Sequence, residues 1–449
     1  MHDTDWNPTS WRAYPALQQP EYPDSHHLEA VLKTIRSYPP LVSPGEVDKL
    51  KQHIAEAGAG KRFILQGGDC AERFIDCNAR SITNKIKILL QMSVILTHGL
   101  RMPVVRIGRI AGQYAKPRSS PVELRDGREI PSYRGDSVNA FAPATPEART
   151  PDPNRLLKSF YLSAVTLNHI RAMIDGGFAD LHNPYTWNLH SVEQTKKWAE
   201  YEQIVERILD AISFMEVFGG VDSEKLGKIE FYTSHEGLLL GYEEALTRKD
   251  PATGSFYNLG AHMVWLGDRT RELNMAHVEY FRGIANPIAV KIGPECQKSE
   301  LHDLLRILNP EEEPGRITLI TRFGAEHVER CLPPIIDMVR KNGHVLTWLC
   351  DPMHGNTTTV SSSIKTRNFE HILQELHSTF SVHRTMGTIM AGAHFELTGE
   401  DVTECVGGAI ELTHDDLGRN YESYCDPRLN YAQSLEMVFS ITQMFRNAG

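Results

Sequence analysis

The chain has 449 residues, of which 41% are hydrophobic, and this is enough for a large buried core in one or two domains. Its formal net charge of −10 argues against non-specific nucleic-acid binding, which depends on an excess of basic residues. The N-terminus lacks the basic and apolar regions of a signal peptide, and no apolar run approaches the ~18 residues of a membrane helix. We therefore expect a cytoplasmic protein that binds neither nucleic acid nor membrane.

The seven cysteines are odd in number, scattered along the chain and without CxxC spacing. This pattern argues against a disulfide framework and against a structural zinc ribbon. Reduced thiols are therefore expected, and one of them is a candidate for a chemical role.

Short apolar, β-branched runs that end in polar, charged or glycine-containing clusters recur along the chain. Eight such runs occur: Arg62–Gly68, Pro103–Gly108, Ile229–Ser234, His262–Gly267, Pro287–Gly293, Ile317–Arg322, His344–Asp351 and Ala393–Thr398. Most gaps are long enough for a helix, and Ser299–Leu308 and Glu326–Lys341 carry apolar residues at helical spacing. Alternating strands and helices predict an α/β fold with a parallel sheet, and eight repeats favour a (β/α)8 TIM barrel. A doubly wound open sheet is the alternative, although no glycine-rich dinucleotide fingerprint follows the first run.

Two segments exceed a minimal barrel. Residues 1–60 form an N-terminal extension, and the catalytic barrel is expected to span residues 61–449. A helical insert at about 142–220 separates the second and third runs. Such additions make subunit contacts, form regulatory surfaces or only enlarge the core, and the sequence leaves these alternatives open.

Helix signals are clear within both added segments. The extension predicts a helix near His26–Ser37. The insert predicts one helix over about Pro153–Asp175 and a second that begins at Ser191, where Gln194 completes a capping box, and stops at Gly219. The insert therefore adds a helix pair after the second strand.

Metal-ligating residue types follow several of the runs. Barrel enzymes carry their catalytic residues at the carboxyl ends of the strands. The candidates there are Cys70, His354 and Glu396, and a later loop adds Asp426. A thiolate, an imidazole and two carboxylates suit a divalent transition metal such as Mn, Co, Fe or Zn, without choosing among them. Each residue alone also has a plain structural interpretation, because a lone cysteine is usually a small buried apolar residue.

Basic residues cluster at the ends of the second, fourth, fifth and sixth runs. They are Arg106, Arg109, Lys116, Arg118, Arg269, Arg271, Lys291 and Arg322. Guanidinium and ammonium groups bind phosphate and carboxylate oxygens, so this distribution favours a substrate with several anionic groups. Solvated surface charge is the alternative for any single arginine.

Two weaker clusters complete the set of candidates. Tyr133-Arg134-Gly135-Asp136 follows the second run and is a candidate for a loop ordered by ion pairing. His235 and Glu236 lie at the end of the third run, where they are candidates for an acid/base pair or for supporting contacts.

Together these motifs resemble the type II (plant-like) 3-deoxy-D-arabino-heptulosonate 7-phosphate (DAHP) synthases. The resemblance extends over nearly the whole chain. The matching motifs are LQGGDCAE (Leu65–Glu72), GRIAGQYAKPRS (Gly108–Ser119), SYRGD (Ser132–Asp136), FYTSHE (Phe231–Glu236), AHVEYFRGIANP (Ala276–Pro287) and DPMHGNT (Asp351–Thr357).

The resemblance implies a (β/α)8 enzyme of the shikimate pathway, the route to the aromatic amino acids. Phosphoenolpyruvate and erythrose 4-phosphate are condensed with water, and phosphate is released. By resemblance, Cys70, His354, Glu396 and Asp426 hold one divalent metal ion, with Mn or Co favoured.

The same resemblance assigns substrate contacts and a mechanism. The phosphoenolpyruvate contacts fall on Arg109, Arg269, Lys291 and Arg322, and the aldose lies near Lys116, Arg118 and Ser119. Metal polarisation of the aldehyde oxygen allows attack by the methylene carbon of phosphoenolpyruvate. Lys291, Asp268 and Glu236 are the candidates for catalytic groups. The family typically has GERTR where this chain has GDRTR, so the contact made by Asp268 differs by one methylene.

Three alternatives remain at this stage. One is a relative that acts in secondary metabolism on an amino sugar acceptor, and another is a barrel metallohydrolase. A third is a non-catalytic regulatory or scaffold protein, against which the ligand-type residues argue. The resemblance also implies a dimer or tetramer and aromatic amino acids as candidate effectors.

Overall fold

The computed structural model describes residues 6–125, 127–176, 202–206, 229–360, 364–408 and 410–447. Eight parallel strands form a closed barrel. In chain order they are β1 (Phe63–Gly68), β2 (Val104–Arg109), β3 (Tyr232–Glu236), β4 (Met263–Leu266), β5 (Ile288–Ile292), β6 (Ile317–Thr321), β7 (Thr347–Cys350) and β8 (Met390–Glu396). Each strand pairs with the next in the chain, and β8 returns to pair with β1. The predicted barrel is thereby confirmed, and closure excludes the open-sheet alternative.

Helices surround the strands. Those with both ends described are α1 (Ser25–Ser37), α2 (Pro44–Gly58), α3 (Ala79–Leu100), α4 (Pro153–Asp175), α5 (Leu240–Leu246), α6 (Ala276–Gly283), α7 (Lys298–Leu308), α8 (Val328–Lys341), α9 (Phe369–Met386) and α10 (Tyr431–Arg446). Helix α7 buries four leucines at positions 301, 304, 305 and 308, which is the apolar stripe that its sequence predicts. None of the helices in the described ranges combines the length and apolar character required to cross a bilayer.

Helix α2 closes the amino end of the barrel. Ser43 and Glu46 form a complete capping box at its start. Leu50, Ile54 and Ala57, which share one helical face, are buried against the inward-facing apolar residues of the strands. The carboxyl ends of the strands are left as the open face, which is where barrel enzymes carry their active sites.

The N-terminal extension is anchored to the barrel through Glu244 on α5. The buried carboxylate accepts hydrogen bonds from Trp11 Nε1 at 3.0 Å, from Arg12 Nε at 2.9 Å and from Arg36 Nη2 at 2.9 Å. Because a buried carboxylate is costly unless it is paired, these contacts hold the extension and α5 together.

The helical insert is described in part. Helix α4 covers the predicted Pro153–Asp175. The second predicted helix, from Ser191 to Gly219, lies outside the described residues except for residues 202–206, which are helical. The division into an extension, a barrel and an insert stays a prediction.

Candidate active site

One cavity opens at the carboxyl ends of the strands. It is lined by Cys70, Arg109, Gln113, Lys116, Pro117, Glu236, Trp265, Gly267, Asp268, Arg269, Lys291, Arg322, His354, Glu396 and Asp426. All the residues that the family resemblance assigned to the site are in this lining except Arg118 and Ser119. The chain therefore brings residues from distant segments together on the face that α2 leaves open.

Three of the four predicted metal ligands form a compact group. Ligand atoms of Cys70, Glu396 and Asp426 all lie within 4.8 Å of one another. Cys70 follows β1, Glu396 ends β8, and Asp426 lies in the loop before α10. The fourth residue, His354, places its Nε2 2.9 Å from Glu396 Oε1. A sulfur, a nitrogen and carboxylate oxygens thus converge at one point.

The orientation of His354 is fixed by Asp351, which is completely buried at the end of β7. His354 Nδ1 lies 2.7 Å from Asp351 Oδ2. The other oxygen, Oδ1, accepts the backbone N–H groups of Met353 at 3.0 Å and His354 at 3.2 Å. An imidazole whose Nδ1 hydrogen is held by a carboxylate presents Nε2 as a ligand atom, as in many metal sites.

The donor set fits a divalent transition metal. Glu396 Oε2 is buried and has no hydrogen bond among the described residues, although Arg367 Nη1 lies 2.8 Å away. This buried oxygen is paired with a guanidinium but is not committed to a hydrogen bond, so it can also serve as a ligand to a bound cation. The Lys116 ammonium contacts both Cys70 Sγ and Asp426 Oδ2, so the group already attracts positive charge. Mixed sulfur, nitrogen and oxygen ligands suit Mn, Co, Fe or Zn better than Mg or Ca.

The acids of this group are held in their charged forms. Burial alone would raise the pKa of Glu396, but His354 and Arg367 lower it well below its ordinary value. Burial opposes ionisation of Asp426 as well, and Lys116 lowers the pKa of that carboxyl well below its usual range. Burial raises the pKa of the Cys70 thiol, so a bound cation is needed to make it a thiolate.

A cationic wall faces this group. Arg109 is almost completely buried; it donates to the Cys70 carbonyl at 2.8 Å and to Glu396 Oε1 at 3.1 Å. Lys291 donates to Asp351 Oδ2 at 3.1 Å. Both cations lie against Trp265, the Arg109 guanidinium at 5.1 Å and the Lys291 Nζ at 5.6 Å from the ring centroid. Two cations held against one aromatic ring form a rigid surface for an anionic substrate.

The remaining cations lie on the side of β4 and β6. Asp268 accepts from Arg322 Nη1 at 2.7 Å and from Arg271 Nε at 2.9 Å. No carboxylate of the described residues lies within 4 Å of Arg269, which is exposed in the cavity wall. Asp268 therefore holds Arg322 in place, while Arg269 is available to an anion.

His394 was missed by the sequence analysis. It lies two residues before Glu396 on β8, so strand alternation points both side chains into the barrel. Burial, together with Lys291 and Arg109, lowers the pKa of His394 well below its ordinary value. The neutral ring donates from Nδ1 to Gln66 Oε1 at 2.8 Å and accepts at Nε2 from Arg109 and Lys291. The sequence signal that could have identified His394 is its position two residues before Glu396, which places both side chains on the same face of the strand.

Glu72 connects the loops that follow β1 and β2. Its buried carboxylate accepts the backbone N–H groups of Ala111 at 3.0 Å, Gly112 at 2.9 Å and Gln113 at 2.8 Å. Ala111 has a φ of 64°, in the left-handed region, which turns these three groups toward one point. The loop between Arg109 and Lys116 is thereby tied to the segment that carries Cys70.

Strand β3 is shifted toward its carboxyl end relative to the predicted run. His235 and Glu236 belong to the strand, so they point to opposite sides. Glu236 lines the cavity, whereas His235 Nε2 lies 3.0 Å from Glu243 Oε2, outside the cavity lining. The predicted pair is therefore divided, and only Glu236 reaches the site.

Four further predicted basic or polar residues do not line the cavity, one of which is Arg271, the partner of Asp268. Arg106 points toward α3 and donates to Ser93 Oγ at 2.6 Å. Arg118 is half-buried and pairs with Glu123 at 3.3 Å, and Ser119 is exposed. Arg118 and Ser119 directly follow the lining residues Lys116 and Pro117, at the outer end of the same loop.

The fold and the site together define a class: (β/α)8-barrel enzymes in which a mixed ligand set lies beside an anion-binding wall. Comparison with known protein families identifies one family within that class. Residues 6–442 match the model of the class-II DAHP synthetase family. The chain belongs to this family, which confirms the family that its motifs indicated.

Curated relatives of high similarity agree with this assignment. Phospho-2-dehydro-3-deoxyheptonate aldolase of Neurospora crassa is 49% identical, covering 98% of this chain and 94% of the relative. The protein of the same name from Streptomyces coelicolor is also 49% identical, covering 98% and 97%. The one from Mycolicibacterium smegmatis is 44% identical, covering 97% and 94%. The chain is thus similar to each of them over almost its whole length.

Proposed function

We propose that this chain condenses phosphoenolpyruvate with erythrose 4-phosphate and water to give DAHP and phosphate, the first step of the shikimate pathway. The observation that carries the proposal is the single cavity in which Cys70, Glu396 and Asp426 meet beside Arg109 and Lys291. Such a site suits two anionic substrates and a polarised carbonyl. Membership of the DAHP synthetase family supports the same reaction.

One divalent transition metal ion, with Mn or Co favoured, is held by Cys70, His354, Glu396 and Asp426. When bound, this ion supplies Lewis acidity for the aldehyde oxygen of the aldose. Asp351 keeps His354 in the tautomer and orientation that binding requires. Arg367 and Arg109 stabilise the ionised Glu396 from the other side.

Phosphoenolpyruvate binds against the cationic wall. Arg109 and Lys291 form one side, held on Trp265, and Arg322 and Arg269 form the other. The wall offsets the repulsion between two phosphorylated substrates and orients them, which is a large part of what catalysis of a two-substrate reaction requires.

Two buried groups that line the cavity, Glu236 and Lys291, transfer protons. Burial raises the pKa of Glu236, so its carboxyl holds a proton more readily than an exposed glutamate, and its Oε1 has no hydrogen-bond partner among the described residues. Burial lowers the pKa of Lys291, so its ammonium releases a proton more easily than an exposed lysine. Asp268 acts by holding Arg322. The aldose lies toward Lys116, Arg118 and Ser119, with its phosphate at the outer end.

The resemblance also supports a homo-oligomer, a dimer or tetramer, with aromatic amino acids as effectors and a cytoplasmic location. Helix α4 exposes Tyr161 and Val165, four residues apart on one face, with 44% and 56% of their surfaces accessible. An apolar pair of this kind suits a subunit contact. Light scattering measures the oligomeric state, and the rate of phosphoenolpyruvate loss with and without phenylalanine, tyrosine and tryptophan measures the response to effectors.

The test follows the loss of phosphoenolpyruvate in the purified, metal-loaded protein. Loss is expected only with erythrose 4-phosphate, and it should stop after chelation and return with Mn²⁺ or Co²⁺. Phosphate release from phosphoenolpyruvate alone would indicate a hydrolase, and a preference for an amino sugar would indicate the secondary-metabolism alternative. His354→Ala should lower the rate by more than ~10²-fold, because loss of a supporting contact alone costs ~10- to 100-fold. His371→Ala, an exposed histidine on α9, is the matched control.

A further inference from the structure

We propose that Gln18, in the N-terminal extension, is a positioning residue of the acceptor subsite: it fixes the loop that binds the phosphate of the aldose. The inference rests on the proposed function, which places that phosphate near Arg118 and Ser119. It gives the extension a role in catalysis as well as in folding.

Gln18 holds both main-chain groups of Arg118. The side-chain oxygen of Gln18 accepts the Arg118 N–H at 2.9 Å, and its Nε2 donates to the Arg118 carbonyl at 3.1 Å. An amide side chain can accept from the N–H and donate to the carbonyl of one residue, and so pairs with its main chain as a neighbouring β-strand would. Arg118 lies 100 residues further along the chain, so this contact joins the extension to the β2 loop.

Arg134 closes a ring of hydrogen bonds around the same loop. Its Nη1 donates to the Gln18 carbonyl at 3.2 Å, and its own carbonyl accepts the Lys116 N–H at 2.9 Å. Gln18 has a φ of 60°, which turns its carbonyl toward Arg134 while its side chain reaches Arg118. Lys116 and Arg118 are therefore held from outside the cavity by two residues that do not line it.

The charges around this ring favour an anion. No carboxylate of the described residues lies within 4 Å of the Arg134 guanidinium, which is half-buried. Burial and the nearby Arg118 charge lower the pKa of Arg134, so the two guanidinium groups repel each other. Glu123 is shared by Arg118, Arg125 and Arg149, which leaves positive charge in excess. A phosphate group offsets such repulsion.

Gln18 itself has a fixed position. The next residue, Gln19, donates to the Leu238 carbonyl at 2.8 Å and accepts the Leu240 N–H at 3.0 Å. Trp11 and Arg12 are anchored on Glu244. The two adjacent glutamines thus make the same kind of clamp on different loops, and only the Gln18 clamp acts on the loop of Lys116.

The experiment compares Gln18→Ala with Gln52→Ala, an exposed glutamine on α2, in the metal-loaded enzyme. We expect Gln18→Ala to raise the KM for erythrose 4-phosphate about tenfold, since two hydrogen bonds that order the loop are lost. The KM for phosphoenolpyruvate and kcat should change less than about twofold, because the Gln18 side chain contacts Arg118 and neither Arg109 nor Lys291. Gln52→Ala should leave the KM for the aldose unchanged, because the Gln52 side chain donates to Glu56 on the same helix.

Two further measurements separate positioning from general destabilisation. Asparagine adopts the left-handed backbone more readily than alanine, but its side chain is too short to reach Arg118. Gln18→Asn should therefore reproduce the rise in the KM for erythrose 4-phosphate without a change in melting temperature. Arg134→Gln should raise the same KM, and the double variant with Gln18→Ala should be less than additive, because both residues act on one ring.

An unchanged KM for erythrose 4-phosphate in active Gln18→Ala and Gln18→Asn enzymes would overturn the inference. Equal increases in the KM values of both substrates would do the same, because they would indicate damage to the whole site. Failure of the proposed function would give a different result from failure of this inference. In that case the wild-type protein itself would show no loss of phosphoenolpyruvate that depends on the aldose.

Discussion

His354 Nδ1 lies 2.7 Å from Asp351 Oδ2, and the two residues are only three positions apart at the end of β7. The short loop therefore carries a ligand together with the carboxylate that orients it. Asp351 is also the partner of Lys291, at 3.1 Å. One buried carboxylate thus links the proposed metal group to the cationic wall.

Asp351→Asn should weaken metal binding. The asparagine amide would present N–H groups to His354 Nδ1 and Lys291, which are themselves donors, so the imidazole loses its fixed orientation. We expect the Mn²⁺ concentration needed for half-maximal activity to rise ~10- to 100-fold. Reconstitution of metal-stripped protein measures this value. Asp337→Asn, a surface carboxylate paired with Arg340, is the control, and equal values for the two variants would contradict the role of Asp351.

Glu72→Gln should misplace the loop between Arg109 and Lys116. A glutamine can accept with one oxygen, but its amide group would oppose one or two of the three backbone N–H groups that Glu72 now accepts. Hydrogen bonds to a charged group stabilise by ~1.5–3 kcal/mol, so we expect kcat/KM to fall ~10- to 100-fold. Steady-state kinetics measures the loss. Glu313→Gln, at the amino end of the barrel beside Lys51, should leave kcat/KM unchanged.

His394→Leu should weaken binding of phosphoenolpyruvate. Arg109 and Lys291 lose a shared acceptor, and both side chains become free to move away from Trp265. We expect the KM for phosphoenolpyruvate to rise about tenfold, with a smaller effect on the aldose, since a lost buried acceptor costs ~1–3 kcal/mol. His383→Leu removes an equally buried histidine from α9, outside the cavity. A KM that stays at the wild-type value would show that the wall does not need His394.

Most of the barrel could be predicted because its strands are short, apolar and regularly spaced. The predicted limits of β3 were inaccurate. The run from Ile229 was expected to end at Ser234, whereas the strand ends at Glu236. Side chains alternate between the two faces of the strand from Tyr232 to Glu236. Polar residues that resemble a loop in the sequence therefore belong to the sheet. A buried strand end at an active site carries polar side chains, which composition alone assigns to loops.

The candidate site was predictable where residues are chemically distinctive. Cys70 and Glu396 could be chosen because their ligand atoms follow or end predicted strands, and Asp426 because a later loop offers a further carboxylate for the set. The period of two from Glu396 indicates that His394 points into the barrel, but not that it accepts from Arg109 and Lys291. Gln66 and Glu72 could not be chosen, since their roles depend on which segments become neighbours once the barrel closes. Such contacts join segments far apart in the chain and leave no local pattern.

His277 makes folding stability depend on pH. It is completely buried, its Nε2 lies 3.0 Å from the Leu238 carbonyl, and its Nδ1 has no partner among the described residues. Burial therefore lowers the pKa of His277 from 6.5 to about 4. Because the folded state favours the neutral ring, this stabilisation is fully present above the unfolded pKa of 6.5 and is lost as the pH falls through about 4.

His277→Gln keeps a donor for the Leu238 carbonyl but does not titrate. The free energy of unfolding of the wild type should fall relative to this variant by up to about 3 kcal/mol between pH 7 and pH 4, since each unit of pKa shift corresponds to ~1.4 kcal/mol. Urea denaturation at intervals across this range measures the difference. His26→Gln, an exposed histidine on α1, should run parallel to the wild type. If His277→Gln also ran parallel, the buried ring would not be the group that the acid titrates.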